Sequence, residues 1–210
     1  MVVGVTGGIA TGKSAVVEQF RQLGAAIISA DELAREIVRP GEEALSRLVA
    51  RFGPGILQAD GTLDRKALGE IIFADPEARQ DLNRITHPAI ARLAADRINA
   101  LQHQGVLLII YEAPLLFEAG AESRVDRIVV VTAPVEVQRR RLMARDGLDE
   151  RAAEARIAAQ MPLADKVRRA DFVVDNAGSL DDLAAKVRDL CDRLLELARH
   201  RPDVLPETAG

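Results

Sequence analysis

Gly7, Gly12, Lys13 and Ser14 occupy the fixed positions of GxxxxGK(S/T) within the stretch GGIATGKS, residues 7–14. That spacing suits a loop whose successive backbone N–H groups wrap the phosphates of a nucleotide. Glycine lets the backbone take positive φ and approach a phosphate closely, a lysine neutralises charge on the β and γ phosphates, and a terminal hydroxyl ligates Mg²⁺. The candidate nucleotide contacts are therefore Gly8, Ile9, Ala10, Thr11, Gly12, Lys13 and Ser14, with Ser14 as the metal ligand. A glycine-rich turn beside a lysine is the bland alternative. The flanks favour the phosphate loop: the apolar run VVGVT precedes it, and SAVVEQFRQLG follows with Val16, Val17, Phe20 and Leu23 on one helical face.

A loop of this kind serves GTPase switches, motor and transporter ATPases and small kinases alike. The NKxD element that usually accompanies guanine specificity does not occur, and 210 residues lack the bulk of a motor. A small phosphotransferase needs an acceptor, a base to orient it and arginines to stabilise charge on the transferred group. Asp31, in SADELAR after the second apolar run, is the candidate base. A carboxylate there could orient an attacking hydroxyl, whereas Ser29 or Asp31 could equally start the helix ELAREIV as its cap. Arg139, Arg140, Arg141 and Arg145 form the densest cationic cluster, in VQRRRLMARDG, and Arg156 extends it. Arg141 and Arg145, four apart, share one face of a helix, either as a solvated face or as guanidinium forks of a lid over ATP. Glu112, in YEAPLLFE, could position the acceptor or hold a water on Mg²⁺, and a turn closed by Pro114 is the plainer reading. His87, in ITHP, contacts an acceptor phosphate or caps a helix junction.

The elements that must position these residues are legible as periodicity. Five short apolar runs, VVGVT, AAIIS, VLLIIYEA, RIVVVTA and DFVVDN, mostly lack alternation, as parallel strands buried on both faces do. Helical patterns separate them, which predicts right-handed crossovers and an α/β three-layer sandwich on a five-stranded parallel sheet. The second and third runs are separated by several helical patterns, an interval too long for a simple crossover and suited to an acceptor-binding helical insertion. A single domain over 1–200 is expected: core about 1–30, 104–134 and 170–200, insertion about 31–103, arginine-rich lid about 135–169. Residues 201–210, RPDVLPETAG, carry two prolines and no periodicity and read as a frayed tail.

Composition narrows the classes further. A hydrophobic content of 48% supports one α/β core, and a formal charge of -4 disfavours nucleic acid as the main partner. One cysteine, Cys191, excludes an internal disulfide and a cysteine zinc site and suits a reducing compartment; it reads as a core residue. His87, His103 and His200 lack metal-ligand spacing. Met1 leads directly into a strand without a signal-like segment, and no apolar run reaches membrane-spanning length, so a cytoplasmic protein without membrane contact is expected. No obligatory protein partner is indicated.

The ordered set VTGGIATGKS, SADELARE, ITHPAI, APLLFE, QRRRLMARDG, RIAAQMP and ADFVVDNAGSLDDL resembles the dephospho-coenzyme A kinases, P-loop small-molecule kinases, from Val2 to about Leu194. The resemblance implies transfer of the γ phosphate of ATP to the ribose 3′-hydroxyl of dephospho-coenzyme A, with Mg²⁺, as the last step of coenzyme A synthesis. It implies that Asp31, Lys13 and Arg141 are catalytic, that Arg141, Arg145 and Asn176 join the loop in binding ATP, and that Asp31, His87 and Glu112 meet the acceptor. Two positions depart from the family pattern. Ser29 stands where the family commonly has the first aspartate of DAD, keeping a hydrogen-bonding group without the charge, and Glu112 stands where aspartate is frequent. Rival readings are a P-loop kinase for a nucleoside monophosphate or small alcohol, a non-catalytic ATP-sensing module and, more weakly, a nucleic-acid binder.

Overall fold

A computed structural model describes residues 1–200, so the tail expected over 201–210 lies outside the described residues. Each apolar run forms a strand: β1 Val2–Gly7, β2 Ala26–Ser29, β3 Ile109–Glu112, β4 Arg127–Thr132 and β5 Phe172–Asp175. Among the described residues these make one five-stranded sheet in the order β2-β3-β1-β4-β5. β1 is central and pairs in parallel with β3 and β4, and β4 pairs in parallel with β5. The register sets Val5 beside Glu112, Gly7 beside Val131 and Thr132 beside Asp175, so the carboxyl ends of β1, β3 and β4 are neighbours. Crevices at such ends are where open parallel sheets bind ligands.

The chain divides into two compact units, Ile28–Ala100 and the remainder. In the larger unit, α1 (Lys13–Gln22) and α9 (Leu180–Arg199) cover one face of the sheet. Val16, Val17 and Phe20 of α1 and Leu183, Val187, Leu190 and Leu194 of α9 join Val3, Val5, Ile110, Val129, Val131 and Val174 in one core. Cys191 is part of that core, and burial pushes its thiol pKa up. A capping box starts α9, with Ser179 and Asp182 exchanging side-chain and backbone hydrogen bonds. On the opposite face Gly4 lies against Leu116 and Val125, where even a Cβ would be tight. α6 (Val135–Asp146), α7 (Glu150–Ala158) and α8 (Leu163–Arg168) occupy the interval between β4 and β5, and α8 packs on β4.

The unit Ile28–Ala100 is helical: α2 (Ala30–Glu36), α3 (Glu43–Phe52), a 3₁₀ turn at Pro54–Ile56, α4 (Arg65–Ala74) and most of α5 (Pro76–His103). It has its own core of Ile37, Val38, Leu45, Leu48, Ile56, Leu68 and Ile85. Asp64 caps α4 by accepting hydrogen bonds from the backbone N–H groups of Lys66 and Ala67 at 2.9 and 3.0 Å. Among the described residues no helix is long and apolar enough to cross a membrane.

Candidate active site

Two glycines give the loop between β1 and α1 its path for steric reasons. A Cβ at Gly7 would overlap the Val131 carbonyl oxygen, and Gly12, at φ +90°, would drive a Cβ into the Asn176 side-chain amide. Ala10 holds φ 58°, the one positive value at a non-glycine position among the described residues, so the loop carries some backbone strain. Thr11 is fully buried and its Oγ1 donates to the Gly8 carbonyl at 2.9 Å, closing the turn. Gly12 is the N-cap of α1 and offers no side-chain cap, and its carbonyl accepts from the N–H groups of Ala15 and Val16 at 3.0 and 3.3 Å. Lys13 lies back over the loop, Nζ donating to the Gly8 carbonyl at 3.2 Å and reaching Gly7 at 3.5 Å. The Ser14 side chain is exposed at the same helix end.

These features fit a nucleotide phosphate: a tight backbone cradle, a helix N-terminus and an ammonium group meet at one point. They also fit Mg²⁺ delivered with that nucleotide, because Ser14 offers one hydroxyl and such an ion takes most of its ligands from phosphate and water. Among the described residues no cluster of three or more His, Cys, Asp or Glu offers an independent metal site.

Distant side chains brace the loop. Asn176, buried just after β5, donates from Nδ2 to the Thr11 carbonyl at 2.8 Å. Arg141, on α6, donates from Nη1 to the same carbonyl at 3.3 Å and from Nη2 to the Asn176 carbonyl at 3.1 Å. Gln138, one turn earlier on α6, donates to the Ala133 carbonyl at 2.8 Å, and its Oε1 faces Gly8, where a Cβ would come within 3.0 Å. Gln160 supplies the acceptor for the Ile9 N–H at 2.7 Å. Sequence reasoning missed Gln138 and Gln160, although both sit in segments singled out for their arginines.

Arg141 and Arg145 share a helical face but not a target. Arg145 forms a two-point pair with Asp146, at 2.7 and 3.1 Å, and Arg156 of α7 bonds the same carboxylate at 2.6 Å. The Arg145 guanidinium holds the Asp146 pKa below its usual value, with Arg156 adding to the effect, and the Arg145 pKa rises in turn. Arg139 bridges to Glu150 and Glu154, so α6 and α7 are stapled at both ends.

Glu112 closes β3 beside Val5, near the strand end that feeds the loop. Asp31 and His87 belong to the Ile28–Ala100 unit. Asp31 is exposed in the first turn of α2, and Ser29 makes the cap instead, accepting from the Glu32 N–H at 3.4 Å. His87 lies within continuous α5, immediately before Pro88, rather than at a helix junction.

The family model for dephospho-CoA kinase matches residues 1–182. A dephospho-CoA kinase of Syntrophotalea carbinolica is 54% identical over 195 residues, covering 93% of this chain and 92% of that one. A solved structure of a Thermus thermophilus protein superposes with TM-score 0.77 at 37% identity, covering 92% of this chain and 97% of that chain. Another solved structure, a dephospho-CoA kinase from Campylobacter jejuni, gives TM-score 0.72 at 32% identity, covering 93% and 97%. With a family match over most of its length and a relative more than half identical to it, the chain belongs to the dephospho-CoA kinase family.

Proposed function

We propose that this chain transfers the γ-phosphoryl group of ATP to the ribose 3′-hydroxyl of dephospho-coenzyme A, yielding coenzyme A and ADP, the last step of coenzyme A synthesis. The observation that carries the reading is the family match over residues 1–182, which includes a phosphate loop held by Asn176, just after β5, and by Arg141 of α6. Positioning and charge stabilisation supply nearly all the catalysis in phosphoryl transfer, and the loop is built for both. Lys13 and the backbone of residues 8–14 bind the phosphates, and Ser14 would ligate Mg²⁺, which neutralises phosphate charge when bound. Arg141 ties the loop to α6 and stabilises charge on the transferred group, while Arg145 and Asn176 complete the nucleotide site. Asp31 accepts the proton of the attacking hydroxyl, and Glu112 and His87 orient the acceptor.

Residues 28–100 serve as the acceptor lobe and 135–169 as the lid, whose closure keeps water from the γ-phosphoryl group. A cytoplasmic enzyme is part of this reading, supported by a single cysteine that suits a reducing compartment. The test is ADP release by the purified protein with ATP and Mg²⁺, comparing dephospho-coenzyme A with AMP and small alcohols, and identifying the product by mass. Turnover confined to dephospho-coenzyme A is the expected result; turnover of a different acceptor, or none, overturns it.

A further inference from the structure

The segment after β3 is fastened by two cations, one on α8 and one at its C-terminal end. Lys166, on α8, is completely buried, and its Nζ pairs with Glu118 at 2.7 Å while donating to the Pro114 carbonyl at 3.3 Å. The Pro114 carbonyl also accepts from Thr6 Oγ1 at 3.1 Å, and Thr6 is the residue before the phosphate loop. Three residues beyond Lys166, Arg169 pairs with Glu122 and lies 4.3 Å from the centre of the Phe117 ring. Residues 113–122 are thus tied to the end of the lid segment on one side and to the root of the phosphate loop on the other.

A buried ammonium is a poor way to stabilise a fold. Apolar residues of similar volume usually do as well or better, because the ion pair must first overcome the loss of hydration. What an ion pair adds is direction: a carboxylate and a carbonyl must stand within hydrogen-bond reach of one nitrogen, which sets where the loop can lie. We propose that Lys166, acting with Glu118, is a positioning residue for the acceptor side of the reaction. It holds the Glu112–Glu118 segment in register with β1, so that the carboxylate of Glu112 meets the acceptor at the correct place. This rests on the reading of Glu112 as an acceptor contact.

Lys166→Met together with Glu118→Leu removes both charges and keeps an apolar filling. The doubly substituted protein is expected to keep a melting temperature close to the parent and an unchanged KM for ATP. Its kcat/KM for dephospho-coenzyme A should fall on the order of tenfold or more, as displacement of a substrate-orienting group does. Glu118→Gln, which keeps the shape and one acceptor, should move the same parameter in the same direction by less, and it serves if the double variant does not fold. Parent-like kinetics for both substrates in a folded variant would overturn the positioning role while leaving the acceptor assignment intact. If the parent itself does not turn over dephospho-coenzyme A, the proposed function fails. The clamp is then judged by hydrogen exchange of the amides of residues 113 and 115–119: faster exchange in the variants supports it, and unchanged exchange sinks it.

Discussion

The side-chain amide of Asn176 donates to the Thr11 carbonyl at 2.8 Å, joining the last strand of the sheet to the phosphate loop across 165 residues of sequence. Arg141 reaches the same carbonyl at 3.3 Å, so Thr11 is not left unsatisfied when Asn176 is removed. Asn176→Ala should therefore cost only about 1 kcal/mol of stability, the low end for loss of a partner to a buried group. ATP affinity should fall with it, because the loop loses its shorter brace. Urea unfolding and ATP titration check the two effects, and parent-like ATP affinity would show that the loop holds its path without Asn176.

Gly12 and Ala10 both have positive φ, yet their substitutions should behave differently. Gly12→Ala forces a Cβ against Asn176 Nδ2 and adds left-handed strain of about 1–2 kcal/mol, so stability and ATP binding should drop together. Ala10→Gly relieves strain at φ 58°, and that gain is offset by about 0.5–1 kcal/mol of extra unfolded-chain entropy. Its melting temperature should stay close to the parent. A large fall would mean that the Ala10 methyl packs in a way its backbone angle does not reveal.

Substitutions at Asp31 and Ser29 test the proposed base separately from the helix cap. Ser29 makes the α2 cap, and the 3.4 Å bond is long, so Ser29→Ala should cost about 0.5 kcal/mol and leave turnover within a few fold. Asp31→Asn keeps the helix and should retain ATP binding while lowering turnover on the order of a hundredfold or more, as loss of a general base does. Steady-state kinetics on both variants distinguish the roles. Unchanged turnover in Asp31→Asn would reduce Asp31 to a first-turn helix residue.

The staple between α6 and α7 should titrate. Hydrogen bonding from Arg145 lowers the Asp146 pKa in the folded protein, so Asp146 contributes stability that is fully present above its unfolded value and fades as pH falls through the lower folded value. Asp182 in the α9 capping box behaves alike, its pKa lowered chiefly by the Ser179 side chain. Melting curves from pH 6 down to about pH 2.5, spanning the ordinary carboxylate range, should show a steeper acid loss in the parent than in Asp146→Asn. Parallel curves would mean that the pair with Arg145 adds nothing to stability.

Lys13→Ala should weaken ATP binding and turnover together, since its ammonium lies over the loop carbonyls of Gly7 and Gly8. Calorimetric titration with ATP alongside the kinetic assay measures both. Normal ATP turnover in that variant would remove the loop from the mechanism.

What the amino-acid sequence determined by itself was local. The spacing of Gly7, Gly12, Lys13 and Ser14 between an apolar run and an amphipathic one specifies strand, loop and helix, because each demand is met within a few residues. The five runs became the five strands for the same reason, with the longest, VLLIIYEA, trimmed to Ile109–Glu112. Tertiary structure alone decided what those elements hold on to. Gln160 bonds Ile9 across 151 residues and Lys166 bonds Pro114 across 52, and no periodicity carries information about a partner that far away. Helical spacing put Arg141 and Arg145 on one face, but their neighbours directed Arg141 to the Thr11 carbonyl and Arg145 to Asp146. The family resemblance implied a nucleotide contact for Asn176, whereas its commitment to the loop backbone appears only once β5 is laid beside β4 and the Thr11 carbonyl needs a donor in a buried place.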